Sequence, residues 1–109
     1  MYSDLVNDLK ALQAVPIVEH AWATRPTGHH GTVQLDFAAA QDSGDDLHQG
    51  MAYQGSVDLY TRGEAWDVAG IVQTVLEKHC GASWYLNLKT YDTGVRMIHR
   101  EYVFEIEVL

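Results

Sequence analysis

Trp84-Tyr-Leu-Asn-Leu-Lys-Thr-Tyr-Asp-Thr-Gly-Val-Arg-Met-Ile-His-Arg-Glu-Tyr-Val-Phe-Glu-Ile-Glu-Val-Leu109 closes the chain with two alternating segments, 84–91 and 95–109, around Asp92-Thr93-Gly94. Alternation at period two marks strands with one buried face. A three-residue connection ending in glycine marks a hairpin whose glycine takes the left-handed conformation. Pairing Tyr91 with Val95 places Leu88 by Ile98, Leu86 by Arg100 and Trp84 by Tyr102 on one face, which with Phe104 is the expected core face. The opposite face carries Tyr85, Asn87, Lys89, Met97, His99 and Glu101, then Val103, Glu105 and Glu107. That face is expected to be wet or to meet a partner.

Upstream, the period changes to helical from Ala65, with Val68, Ile71, Val72, Val75, Leu76 and His79 at spacings of three and four. Gly81 is placed to end that helix, and Trp66 in its first turn is expected to anchor it to the sheet. Thr32–Ala38 alternates with Val33, Leu35 and Phe37 on one face, and 49–61 alternates with Met51, Tyr53, Val57 and Leu59 in phase. Gly55 marks a bulge or a close approach. The polar run 39–50 between these strands reads as the tip of an extended hairpin arm. Val15–Trp22 reads as a short strand with Pro16 tolerated at its start. Arg25–Gly31 reads as a loop. Leu5, Val6, Leu9 and Leu12 form one face of a first helix that Ser3 could cap. The expected fold is therefore α+β over 1–109 as one domain: a mainly antiparallel sheet with two packed helices, in the order α-β-β-β-α-β-β.

Fifteen acidic residues against seven basic ones give a formal charge of −8, which opposes binding by phosphate neutralisation. Cys80 is the only cysteine, so no internal disulfide or thiolate zinc site can form, and a reducing compartment fits best. The acidic N-terminus, Met1–Asp8, resembles neither a signal peptide nor a membrane span.

Chemistry-bearing motifs are few. Asp92-Thr93-Gly94 matches the short aspartic-protease signature but continues Val95-Arg96-Met97 and has no supporting apolar Gly-containing strand, so it reads as turn chemistry. His20, His29 and His30 could suggest a metal site, yet adjacent histidines on an extended segment point apart. Asp42-Ser-Gly-Asp-Asp46 lacks the alternating ligand positions of a calcium loop. Cys80 beside His79 is about 100° away around the helix, and reads as structural. No phosphate loop or nucleophile elbow is present. No catalytic residue, cofactor or metal is expected. Arg100, polar within an apolar alternation, is expected to stack on an aromatic ring such as Trp84 or Tyr102, or else to reach a carboxylate on a neighbouring copy.

The element order, the segment Ser56-Val-Asp-Leu-Tyr60 and the ending Tyr91–Glu107 resemble small siphophage tail terminator and tail-completion proteins, to which neck and minor capsid proteins are related. The resemblance implies a non-enzymatic subunit of the virion tail or neck, assembled in the host cytoplasm. It implies a homo-oligomeric ring, commonly a hexamer, that stops tail-tube growth and joins the head-side connector. Genomic DNA would pass through without specific binding. On that expectation Asp36, Asp58, Glu105 and Glu107 are the candidate acidic lining. The candidate inter-subunit contacts are Asp42, Asp45, Asp46 and His48 in the arm, with Tyr85, His99 and Arg100 in the hairpin, because a ring needs a heterologous interface. A small-molecule or metal-binding module is the alternative from another class.

Overall fold

The computed structural model describes residues 1–38 and 52–107. Two helices and five strands follow in the order α1 (Tyr2–Lys10), β1 (Ile17–Glu19), β2 (His30–Ala38), β3 (Ala52–Thr61), α2 (Trp66–Cys80), β4 (Trp84–Asp92) and β5 (Met97–Glu107). The expected order and the α+β class both hold. One sheet runs β1-β2-β3-β5-β4. Among the described residues only the β1–β2 pair is parallel. The expected arm over 39–50, with Asp42, Asp45, Asp46 and His48, lies outside the described residues.

Both helices cover one face of the sheet. Leu5, Val6 and Leu9 of α1 and Val68, Ala69, Val72 and Leu76 of α2 bury the stripe that their spacing requires. They meet Val33, Val57, Leu59, Tyr102, Phe104 and Ile106 from β2, β3 and β5. Val57 and Leu59 are fully buried, each contributing about 1.5–3 kcal/mol by leaving water. The helices are also pinned together where Asp8 accepts hydrogen bonds from Lys78 Nζ at 3.0 Å and His79 Nε2 at 2.7 Å. These bonds, His79 first and then Lys78, lower the Asp8 pKa. Burial pushes the Cys80 thiol up to about 11, consistent with a packing role for this residue.

Gly55 is a close approach. A Cβ built there would stand 2.5 Å from both the Gln34 carbonyl oxygen and Cζ of Phe104. The bulge itself lies across from it on β2, where the register slips between Leu35 and Phe37. The regular alternation expected through Phe37 therefore stops at Asp36.

Several local expectations are corrected. Ser3 lies inside α1 rather than capping it. The strand expected over 15–22 shortens to Ile17–Glu19, because His20 takes φ 68° and turns the chain out of the sheet.

The terminal hairpin differs most. Asp92 pairs with Met97, leaving Thr93–Arg96 as a four-residue turn. The left-handed residue is Arg96, φ 58°, and not Gly94. The cause is the Asp92 side chain, whose Oδ1 accepts from the Gly94 amide at 2.9 Å and starts the turn one residue later than expected. A bulge between Leu86 and Leu88 then moves Leu88 opposite Glu101 and Lys89 opposite Arg100. One extra residue inverts every later side chain on a strand. Leu88 thus leaves the expected core face. Leu86 and Leu88 are each 43 % exposed on this edge strand, and of the β4 residues Trp84 packs on the core. Trp84 stands edge-on to Tyr102 at 5.9 Å and donates to Glu77.

Trp66 does not enter the core either. It is 65 % exposed and forms a ring under Lys89, 4.2 Å from the centroid, and Arg100, 5.1 Å away.

Candidate functional site

The sheet face without helices carries a row of rings at one end. His30 on β2, Tyr60 on β3 and His99 on β5 are cross-strand partners in register. Register makes them stack: His30 and Tyr60 lie 5.2 Å apart at 10°, and Tyr60 and His99 lie 4.4 Å apart at 5°. Trp22, from the loop after β1, meets His30 edge-on at 6.1 Å and is fixed by its Nε1 donating to the Gly31 carbonyl at 3.1 Å. Arg25 lies over Tyr60 with Cζ 4.1 Å from the ring centroid. Loop and strands enclose an open cleft of about 250 Å³ lined by Trp22, Arg25, His30, Thr32, Asp58 and Tyr60.

The hydrogen bonds set the protonation state of His30. Its Nδ1 lies 2.8 Å from the Gly28 carbonyl and its Nε2 accepts from Arg25 Nε at 3.2 Å. That pairing assigns the proton to Nδ1, a neutral ring. Burial lowers the His30 pKa, the Gly28 bond opposes this, and the nearby Arg25 charge adds to the lowering. His29 is likewise engaged, its Nδ1 accepting from the Arg62 amide at 3.1 Å. Among the described residues no group of three or more His, Cys, Asp or Glu is placed to hold a metal ion.

The sequence-derived candidates separate into three places. Glu105 and Glu107 are exposed, out of phase with the buried Phe104 and Ile106; Asp36, at the β2 bulge, is exposed too, accepts from Gln34 at 3.1 Å and lies close enough to Tyr2 of α1 for its charge to help raise the Tyr2 pKa, after burial and Glu19. Asp58 lies on the face away from the helices and accepts from His99 Nε2 at 2.7 Å, so its carboxylate is engaged within the chain. Tyr85 is 55 % exposed on β4. Arg100 is 1 % exposed, and its guanidinium donates to Thr61 Oγ1 at 3.2 Å and to the Glu64 carbonyl at 2.7 Å. Its aromatic partner is Trp66, not Trp84 or Tyr102, and its internal bonds take it off the surface expected for an inter-subunit contact. The ring system formed by Trp22, Arg25 and Tyr60 was missed from sequence. No spacing signals it, because it is built across three strands and a loop.

A second surface stands on β4. Tyr85, Leu86, Leu88 and Tyr91 are between 43 % and 57 % exposed on the strand at one edge of the sheet. An edge strand bearing large apolar side chains on both faces is a template for pairing and association.

No family model matches the sequence, and no curated protein matches it. Among solved structures, the chain is similar in fold to a chain described as "Virion of native gene transfer agent (GTA) particle". The TM-score is 0.56 at 15 % identity, over 95 % of this chain and 90 % of that one. At that identity the likeness is one of fold.

Proposed function

We propose that this chain is a structural subunit of a tailed-phage-type virion. In this reading it closes into a homo-oligomeric ring, commonly of six copies, at the head-proximal end of the tail, stops growth of the tail tube and joins the head-side connector. The observation that carries the reading is the end-to-end fold likeness to a chain of a gene transfer agent virion, covering 95 % of this chain. The β4 surface supports it, since an apolar edge strand calls for a covering partner. Charge supports it too: Asp36, Glu105 and Glu107 are exposed on a −8 subunit, and a like-charged lumen repels DNA phosphates rather than holding them. No catalytic role is assigned; the Asp92 carboxylate is engaged by the amides of its own turn. A neck or minor capsid subunit would use the same surfaces at a different position in the particle.

Native mass spectrometry and negative-stain microscopy of the full chain at micromolar concentration, with and without tail tubes, test the reading. Closed rings, free or seated on tube ends, are expected. Monomer alone with bare tube ends contradicts it.

A further inference from the structure

The loop between β1 and β2 is tied down by bonds in which histidine is the acceptor. Arg25 Nε donates to His30 Nε2 at 3.2 Å, while His30 Nδ1 holds the Gly28 carbonyl at 2.8 Å. On the side of the loop toward β3, the Arg62 amide donates to His29 Nδ1 at 3.1 Å and Arg62 Nε to the Thr27 carbonyl at 2.6 Å. Trp22 Nε1 on the Gly31 carbonyl fixes the other side. His30 and Met97 are each 1 % exposed, although His30 lies on the face that the helices leave open and Met97 is in phase with His99 on that face. The loop is their cover: Pro26 and Thr27 share a hollow with Met97 and Arg62, and Arg25 lies over Tyr60.

We infer that the loop 21–29 is an acid-released latch: a proton on His30 removes the acceptor that Arg25 needs, and the loop lifts from the sheet to expose His30, Tyr60 and Met97. An imidazole nitrogen accepts only while it carries no proton. Protonation at Nε2 turns the acceptor into a donor and sets an imidazolium against a guanidinium across a 3.2 Å contact, so a bond becomes a like-charge repulsion. The Gly28 bond survives, because Nδ1 donates in both states. His29 Nδ1 is also an acceptor only in the neutral ring, so the Arg62 amide loses its partner in acid as well.

The groups around His30 set the balance. The loop brings Arg25 and His20; β3 brings Tyr60, stacked at 5.2 Å, and Asp58, which lines the same cleft; His99 of β5 lies beyond Tyr60. Glu19 of β1 pairs with Val33, and its charge bears on Tyr2. Asp58 keeps its charge while bonded to His99 and attracts an imidazolium. Burial outweighs that attraction: it lowers the His30 pKa, the Gly28 bond opposes it, and the Arg25 charge adds to the lowering. A histidine with a lowered folded pKa favours the closed state fully above about pH 6.5 and releases it as pH falls below that value.

Nuclear magnetic resonance of the full chain at pH 7.5 and 5.5 tests the latch. Histidine ring nitrogen shifts should show His30 protonated at Nδ1 alone at the higher pH and at both nitrogens at the lower. Hydrogen-exchange protection of the Trp22 indole N–H and of the amides of 21–29, corrected for the intrinsic pH dependence of exchange, should fall several-fold, up to about tenfold for one proton. Amides of α2 and β5 should keep theirs. His30→Gln should remove the His30 part of this pH dependence, whether or not its amide oxygen holds Arg25. Arg25→Ala leaves the histidine in place and should lower the protection at pH 7.5 by about tenfold. Loop protection equal at the two pH values, or falling only in step with the core amides, overturns the latch. Release while His30 still carries one ring proton overturns it too, as does an Arg25→Ala loop as protected as the wild type.

Discussion

Gly55→Ala is the sharpest test of how the sheet is packed. The added Cβ would lie 2.5 Å from the Gln34 carbonyl oxygen on β2 and 2.5 Å from Cζ of Phe104 on β5. Ordinary contact begins at 3.4 Å, so both neighbours must give by roughly 0.9 Å, on opposite sides of a central strand. Gly55 pairs with Leu35 and with Phe104 at once, and neither strand can retreat without loosening a ladder. Overpacking of this kind costs about 1–3 kcal/mol, and two simultaneous clashes place the expected loss near the upper end, ~3 kcal/mol. With a urea m-value of about 1.5 kcal/mol/M, the unfolding midpoint should fall by roughly 2 M. Phe104→Leu removes one clash but not the other. Its own loss of buried ring costs about 1–2 kcal/mol, yet in the Gly55→Ala background it should cost less than in the wild type, giving a favourable coupling of about 1 kcal/mol. A Gly55→Ala midpoint within error of wild type would refute the close approach. A strictly additive double variant would refute Phe104 as the obstacle.

Leu86→Lys with Leu88→Lys should cost monomer stability no more than about 1 kcal/mol, since both side chains are 43 % exposed on an edge strand, while reducing self-association measured by sedimentation. Arg96→Gly should raise stability by about 0.5–1 kcal/mol in chemical denaturation by relieving a left-handed non-glycine residue. The folded pKa of His30 lies below its usual 6.5, so the unfolded chain binds the proton more readily. Its stabilising contribution is full above about pH 6.5 and lost as pH falls below it. His30→Gln should flatten that part of a stability-versus-pH series from about pH 7.5 to 5.5, and an unchanged slope would contradict the assignment.

The element order was legible because each period is local. Val68, Val72 and Leu76 announce α2, Val57 and Leu59 announce β3, and Gly81 ends α2 at φ 57° with its amide bonded to Glu77. Gly55 reads from sequence as a bulge or a close approach, and the structure makes it the close approach, with the bulge across from it on β2. The terminal hairpin was legible as a hairpin but not in its register. Two features decided that register: the Asp92 side chain on the Gly94 amide and the bulge at Asn87. Neither alters the alternating pattern that the sequence presents. Leu88 looks like a core residue in any window of eight, yet it faces Glu101 because one extra residue inverted its side of the strand. The cleft was hidden for a related reason. His30, Tyr60 and His99 are far apart in the chain and meet through strand pairing, and the loop with Arg25 was read as solvated because its composition is that of a loop. Arg100 stood out in the sequence as anomalous, and its partners, Thr61, Glu64 and Trp66, became identifiable through the packing of α2's first turn against the sheet.

Position in a particle is the central claim, and gold labelling of a tagged copy in purified virions, viewed by electron microscopy, tests it most directly. The account predicts one focus of label at the head–tail junction, with tails of uniform length, and overgrown tail tubes when the protein is missing. Label spread along the tail or over the head, or particles without label and with tails of normal length, would contradict it.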